Sequence, residues 1–215
     1  IEKALDLLRS NSALKAEKKS SRVAADGILI ASVNDDYATL VELNSETDFA
    51  AKDSNFLSFA NKVREYISNN KIFDPSAFNE SSLEEERKSL VQTIGENIQI
   101  RRVVTLEFDT NMHIGMYLHS DSKLGSIVVI KDGNENIAKD IAMHVSAFNP
   151  ICLSEEDIDQ DILEREKVIY QNQAQDSGKP QEIMNKMVDG KIRRFLSEVS
   201  LISQNFVKDP DITVK

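Results

Sequence analysis

The chain has 215 residues, 40% hydrophobic and 29% charged, the ordinary balance of a globular protein with a sizeable core. Its 36 acids against 26 lysines and arginines give a formal net charge of -10, which argues against a surface that grips nucleic acid by neutralising phosphates. A single cysteine, Cys152, excludes an internal disulfide framework and a cysteine-built metal site, and fits a reducing compartment and a cytoplasmic location.

Ile1, Ala4, Leu5 and Leu8 recur at helical spacing and predict one short amphipathic helix. The sequence opens inside that pattern, so a preceding segment is expected. The polar stretch "SNSALKAEKKSSR" reads as a linker, helical in part, and carries the one concentrated basic run, Lys15, Lys18, Lys19 and Arg22. From Val23 the texture turns to strands: "GILIASV" and "YATLVELN", separated by the turn signal "NDD". "SETDFAAKD" then interrupts the strand pattern with an acid followed by an aromatic, and Phe56, Phe59, Ala60, Val63 and Ile67 mark an amphipathic helix. Leu83, Leu90, Val91 and Ile94 mark another. Glu84, Glu85 and Glu86 lie at its positive end, and Gly95 is placed to stop it.

"RVVTLEF", "IGMYLH" and "LGSIVVIKDG" predict three more strands, and Ile137, Ile141, Ala142 and Val145 a helix ending at Asn149-Pro150. Strands followed by a helix thus occur twice, which suggests two related α+β subdomains. Beyond Ser154 a charged, periodic stretch broken by "SGKP" predicts an antiparallel helical hairpin, with Ser154 and Asp157 as a capping box. Ile158, Ile162, Ile169, Ile183, Met187 and Ile192 would line its narrow, coiled-coil-like seam. The segment "LISQNFVKDPDITVK" returns to β-like texture. No run of about 18 apolar residues is present, so no membrane-spanning helix is expected.

The motifs of enzyme chemistry do not appear. The seven glycines form no phosphate-cradling loop, and no serine lies in a G-x-S-x-G context. His113, His119 and His144 form no H-E-x-x-H pair; His113 and His119 would share a strand face but lack a third ligand. Adjacent acids on a helix point about 100° apart, so Glu84 to Glu86 do not converge on a cation. The reading is no cofactor and no metal, with a metal-assisted hydrolase as a rival that metal analysis would dismiss.

"VAADG" at 23–27, "TDFAAKD" at 47–53, "EEER" at 84–87, "IGENIQIRR" at 94–102, "IAMHVSAFNP" at 141–150 and "SGKPQEIMNKMVDGKIRRF" at 177–195 together resemble the bacterial elongation factor Ts family. These stretches stand in that family's order along essentially the whole chain. The family comprises guanine-nucleotide exchange factors for elongation factor Tu. The resemblance implies an α+β fold of two antiparallel-sheet-plus-helix core subdomains with an inserted helical hairpin. By that likeness, residues 1–22 are the last helix of a truncated N-terminal domain plus linker, 23–100 the core N-subdomain and 101–153 the core C-subdomain. Residues 154–198 are then a dimerisation-type hairpin, and 199–215 the start of a return to the core.

The same likeness implies that Thr47, Asp48, Phe49, Ile94, Gly95, His119 and Lys19 touch elongation factor Tu, in its GDP-bound and nucleotide-free forms. No catalytic residue of the chain's own is implied. Ala50 stands where the family usually has valine. By the same likeness, the family's N-terminal glycine-methionine loop is expected to be missing, and the C-terminal end to be cut short of the family's returning core strands and final helical module. The rival from a different class is a structural adaptor, or a homodimer, acting through the hairpin. On composition alone, Thr47-Asp48-Phe49 would be an Asx-type turn before a core phenylalanine. His144, on an apolar helical face, reads as structural.

Overall fold

A computed structural model describes residues 2–215, with side-chain surroundings given from residue 11 onward. Ile1 and the side chains of Ala4, Leu5 and Leu8 lie outside the described residues. The fold is α+β, in two compact units, residues 1–142 and 143–215.

The first unit opens with helix α1 (Glu2–Lys19), continuous through the stretch read from sequence as a linker. Ala16 explains this: it is buried in the hydrophobic core, and the side chain of Ser12 donates to that of Gln92. Tertiary packing thus holds as helix a segment whose polarity suggests a tether.

Strands β1 (Asp26–Val33) and β2 (Tyr37–Ser45) form an antiparallel hairpin around the expected turn, and β3 (Gln99–Glu107) pairs antiparallel with β2. β3, which spans residue 101, completes the first sheet, in the order β1-β2-β3. A strand's own alternation reveals which face is wet but not which neighbour it will take. Between β2 and β3 come helix α2 (Asp48–Ala51), helix α3 (Ser54–Asn69), a short 3-10 turn and helix α4 (Ser82–Ile94).

The buried residues of α3 are Phe56, Phe59, Ala60, Val63 and Ile67, the face expected from spacing. They pack with Ile30, Val41 and Leu43 of the sheet and with Leu83, Leu90 and Val91 of α4. Asp53 caps α3 by accepting from Asn55 N–H at 2.8 Å, and Ser81 caps α4 by accepting from Leu83 N–H at 3.2 Å. Gly95 ends α4 at φ +87°, the left-handed conformation that favours glycine.

Strands β4 (His113–Leu118) and β5 (Gly125–Ile130) form a second, two-stranded sheet. Helix α5 (Glu135–Phe148) follows and lies against β4 so closely that a Cβ on Gly115 would sit 2.0 Å from the carbonyl of Ala138. Ala138 and Ala142 supply the buried face of α5, whereas Ile137, expected there, is exposed. Small residues permit that close approach; isoleucine would hold helix and strand apart.

The second unit contains the hairpin of α6 (Gln160–Gln175) and α7 (Gln181–Val199). The Ser154–Asp157 capping box is present, though it closes a short 3-10 turn, and Asp159 caps α6 itself. Ala174 and Val188 are buried in the hairpin, and the Lys191 ammonium lies 5.4 Å from the Tyr170 ring centroid. Ile169 and Ile183 are exposed, contrary to the seam drawn from the sequence. Strands β6 (Asn205–Phe206) and β7 (Asp209–Thr213) pair antiparallel. His144 is fully buried here, stacked on Phe148 at 4.7 Å.

Candidate functional site

Where β2 ends, Thr47 reverses the chain and caps α2, its hydroxyl oxygen accepting from Ala50 N–H at 3.3 Å. Ala50 and Ala51 are buried, which anchors this short helix to the core and turns the residues between Thr47 and Ala50 outward. The Phe49 side chain is 82% exposed. It is therefore not the core phenylalanine that composition alone would suggest; that place belongs to Phe56, which is fully buried.

The turn is braced from a distant part of the chain. The Glu96 carboxylate accepts from Thr47 N–H at 3.0 Å and from the Thr47 hydroxyl at 2.7 Å. Reciprocally, Glu46 accepts from Asn97 N–H at 2.7 Å. Asn97 is buried and also donates its side-chain amide to the Arg22 carbonyl at 2.8 Å, and Arg22 lies 3.6 Å from Glu46. The Lys19 ammonium donates to the Gly95 carbonyl at the end of α4, where a cation suits the helix dipole. One contiguous network thus joins Lys19, Ile94-Gly95 and Thr47-Asp48-Phe49. Ile94 is only half-buried and packs against the core, so it supports this edge as well as facing outward.

Asp48 bonds to Lys52 one helical turn later at 2.7 Å, and this bond from Lys52 holds its carboxyl below the usual aspartate value of 3.8. Its charge is thereby fixed beside the exposed ring. His119 does not join the braced turn. It begins the loop between β4 and β5, exposed, with its Nδ1 3.1 Å from Asp121. That loop is tied to the first strand: Leu29 N–H donates to the Ser122 carbonyl at 2.6 Å, and Lys123 pairs with Asp26 at 2.8 Å. The hydrogen bond from Lys123 lowers the Asp26 carboxyl.

A concavity of about 380 Å³ on the first sheet is lined by Leu29, Leu40, Val104 and Leu124 with charged side chains between them. Those charges are already matched, Glu42 with Arg102 and Asp26 with Lys123. Among the described residues no group of three or more His, Cys, Asp or Glu could hold a metal ion, and no helix is long and apolar enough to cross a membrane.

Comparison with known proteins decides the family. The family described as Elongation factor TS matches residues 46–215. The chain is 49% identical to Elongation factor Ts of Hahella chejuensis over 216 residues, covering all of this chain and 74% of that protein. The chain belongs to the elongation factor Ts family. Elongation factor Ts of Thioalkalivibrio sulfidiphilus is 42% identical and that of Teredinibacter turnerae 45%, again along the whole chain and over 75% and 74% of those relatives.

Membership gives the braced turn a context that geometry alone lacks. Glu46, Glu96, Asn97, Lys52 and Lys123 were not singled out in the sequence. One weak signal existed. The residue after a helix-ending glycine is commonly apolar, and here it is Glu96.

Proposed function

We propose that the chain is a guanine-nucleotide exchange factor that binds elongation factor Tu and speeds release of its GDP, with Asp48 and Phe49 as the acting pair. The observation that carries this reading is the Phe49 ring, exposed at the tip of a turn whose backbone is held by Glu96. A single exposed apolar residue is ordinary. An aromatic presented by a fixed backbone, beside a fixed carboxylate, is suited to enter another protein with little entropy left to lose.

An exchange factor needs no reactive group. It must bind the nucleotide-free partner more tightly than the nucleotide-bound one, and the coupling is reciprocal, so returning nucleotide expels the factor. Burying a phenylalanine side chain contributes about 1.5–3 kcal/mol, and each 1.4 kcal/mol of difference between the two partner states is about tenfold in affinity. A GTP-binding protein holds its nucleotide through phosphate contacts and a bound magnesium ion. In this reading the ring wedges into the partner's nucleotide domain and the Asp48 carboxylate disturbs the magnesium and phosphate region. GDP then leaves and GTP loads. Ile94, Gly95 and Lys19 widen the same contact, His119 adds a separate one, and the work is done in the cytoplasm.

The test is release of fluorescent GDP from elongation factor Tu with the chain or its Asp48→Ala, Phe49→Ala variant. Faster release with the former, lost in a folded variant, supports the reading; equal rates reject it. A second reading is favoured by the exposed Val168, Ile169 and Ile183 of the hairpin, which suit self-association. Light scattering of Ile169→Lys, Ile183→Lys would separate the two, because exchange through Phe49 should survive loss of any dimer.

A further inference from the structure

We infer that Glu96 is a positioning residue for the exchange reaction, a brace that sets the direction in which Phe49 is presented. The inference rests on the exchange reading above and deepens it. Thr47 is the hinge of the presenting turn: its carbonyl accepts from Ala51 N–H, its hydroxyl accepts from Ala50 N–H, and both of its own donors end on Glu96. Among the described residues the Thr47 N–H has no other acceptor. Without the Glu96 carboxylate, Thr47 keeps only the bonds to its carbonyl, from the Ser45 hydroxyl and Ala51 N–H, and the one to its hydroxyl from Ala50 N–H. Its own N–H and O–H are then released, the cap on α2 loosens, and the ring two residues on swings.

The brace is directional because it is doubled. Glu96 reaches back to Thr47 while Asn97 N–H reaches to Glu46, so adjacent residues on each side exchange bonds in opposite senses. A single link would permit twisting; the reciprocal pair fixes both separation and angle. Glu96 also follows Gly95 directly, so its backbone position is set by the end of α4 and by the Lys19 bond to the Gly95 carbonyl. Movement of the Ile94-Gly95 edge is thus transmitted to the Phe49 turn through the Glu96 carboxylate together with the Glu46 link to Asn97. That arrangement keeps two stretches, separated by 49 positions in the Thr47–Glu96 link, in one fixed relation before any partner arrives.

The test combines exchange rates with amide hydrogen exchange on the full chain. Glu96→Ala is expected to slow GDP release from elongation factor Tu, and to speed hydrogen exchange at Thr47 and Ala50, each by about tenfold, the scale of a lost bond to a charged group. Glu96→Gln, whose amide oxygen still accepts from Thr47 N–H, should restore much of both. In a Phe49→Ala background, Glu96→Ala should slow release no further, because the group it aims is gone. A purely stabilising residue would not show that dependence.

Equal slowing by Glu96→Ala with and without Phe49 overturns the inference, as does unchanged protection at Thr47. If Phe49→Ala alone leaves release unaltered, the exchange reading falls while the Thr47 protection still decides the brace. Should Glu96→Ala fail to fold, Glu96→Gln paired with Thr47→Val poses the same question at the other end of the bond.

Discussion

The ammonium of Lys52 donates to Asp48 Oδ2 at 2.7 Å, so the carboxylate beside the exposed ring is already engaged in the free chain. That bond favours the ionised form and lowers the Asp48 carboxyl from its usual value of 3.8. The sign follows directly. The contribution to stability is present above the usual aspartate value and is lost as pH falls through the lower folded value. Carboxyl-detected NMR should find Asp48 titrating below 3.8, and Lys52→Ala should move its midpoint upward. A midpoint unchanged by that substitution would show the pair to be absent in solution.

Phe49 and Phe56 should respond to truncation in opposite ways. Phe49→Ala removes a ring that is 82% exposed and should leave thermal stability nearly unchanged while slowing GDP release from elongation factor Tu. Phe56→Ala empties a site with no solvent exposure and should cost about 3–5 kcal/mol, measured by urea unfolding.

Gly95 and Gly115 are required for different reasons. At φ +87°, Gly95→Ala should destabilise by about 1–2 kcal/mol through the backbone, since a Cβ there meets only the Lys19 ammonium at 3.6 Å. Gly115→Ala should cost more, because its Cβ would lie 2.0 Å from the Ala138 backbone and α5 would have to move off β4. Denaturant melts of both variants give the comparison.

In the second unit, Val207 N–H donates to His144 Nδ1 at 3.1 Å, which leaves Nε2 to carry hydrogen and donate to Gln204 Oε1 at 2.9 Å. The Gln204 amide is oriented by its own donation to the Glu198 carbonyl at 2.7 Å. His144→Ala should therefore loosen the β6–β7 hairpin, seen as faster hydrogen exchange at Val207, at a cost of about 1–3 kcal/mol for a buried group left unpaired. His144→Gln should recover part of the loss.

Local periodicity made much of the fold legible. The buried face of α3 matches its helical spacing residue for residue, and Gly95 announced the end of α4. What sequence could not convey was choice of partner. Nothing in "RVVTLEF" says that β2 lies beside it. The polar run after residue 9 looked like a tether because the contact that makes it helix, Ala16 in the core, is tertiary.

In the candidate site the same division holds. Asp48 and Phe49 stood out as an acid and an aromatic where a strand stopped. Glu96 did not, since its meaning lies in Thr47, far away in sequence. Ile169 and Ile183 failed as seam residues because a hairpin of charged helices needs only a narrow stripe, filled here by smaller side chains such as Ala174 and Val188.

Stopped-flow release of fluorescent GDP from elongation factor Tu, with the chain and with Phe49→Ala at equal concentration, is the most direct measurement. Acceleration by the chain that falls at least about tenfold in the variant, with far-UV circular dichroism unchanged, is the expected result, equivalent to about 1.4 kcal/mol of lost differential binding. Equal acceleration by both proteins would contradict the role assigned to the exposed ring.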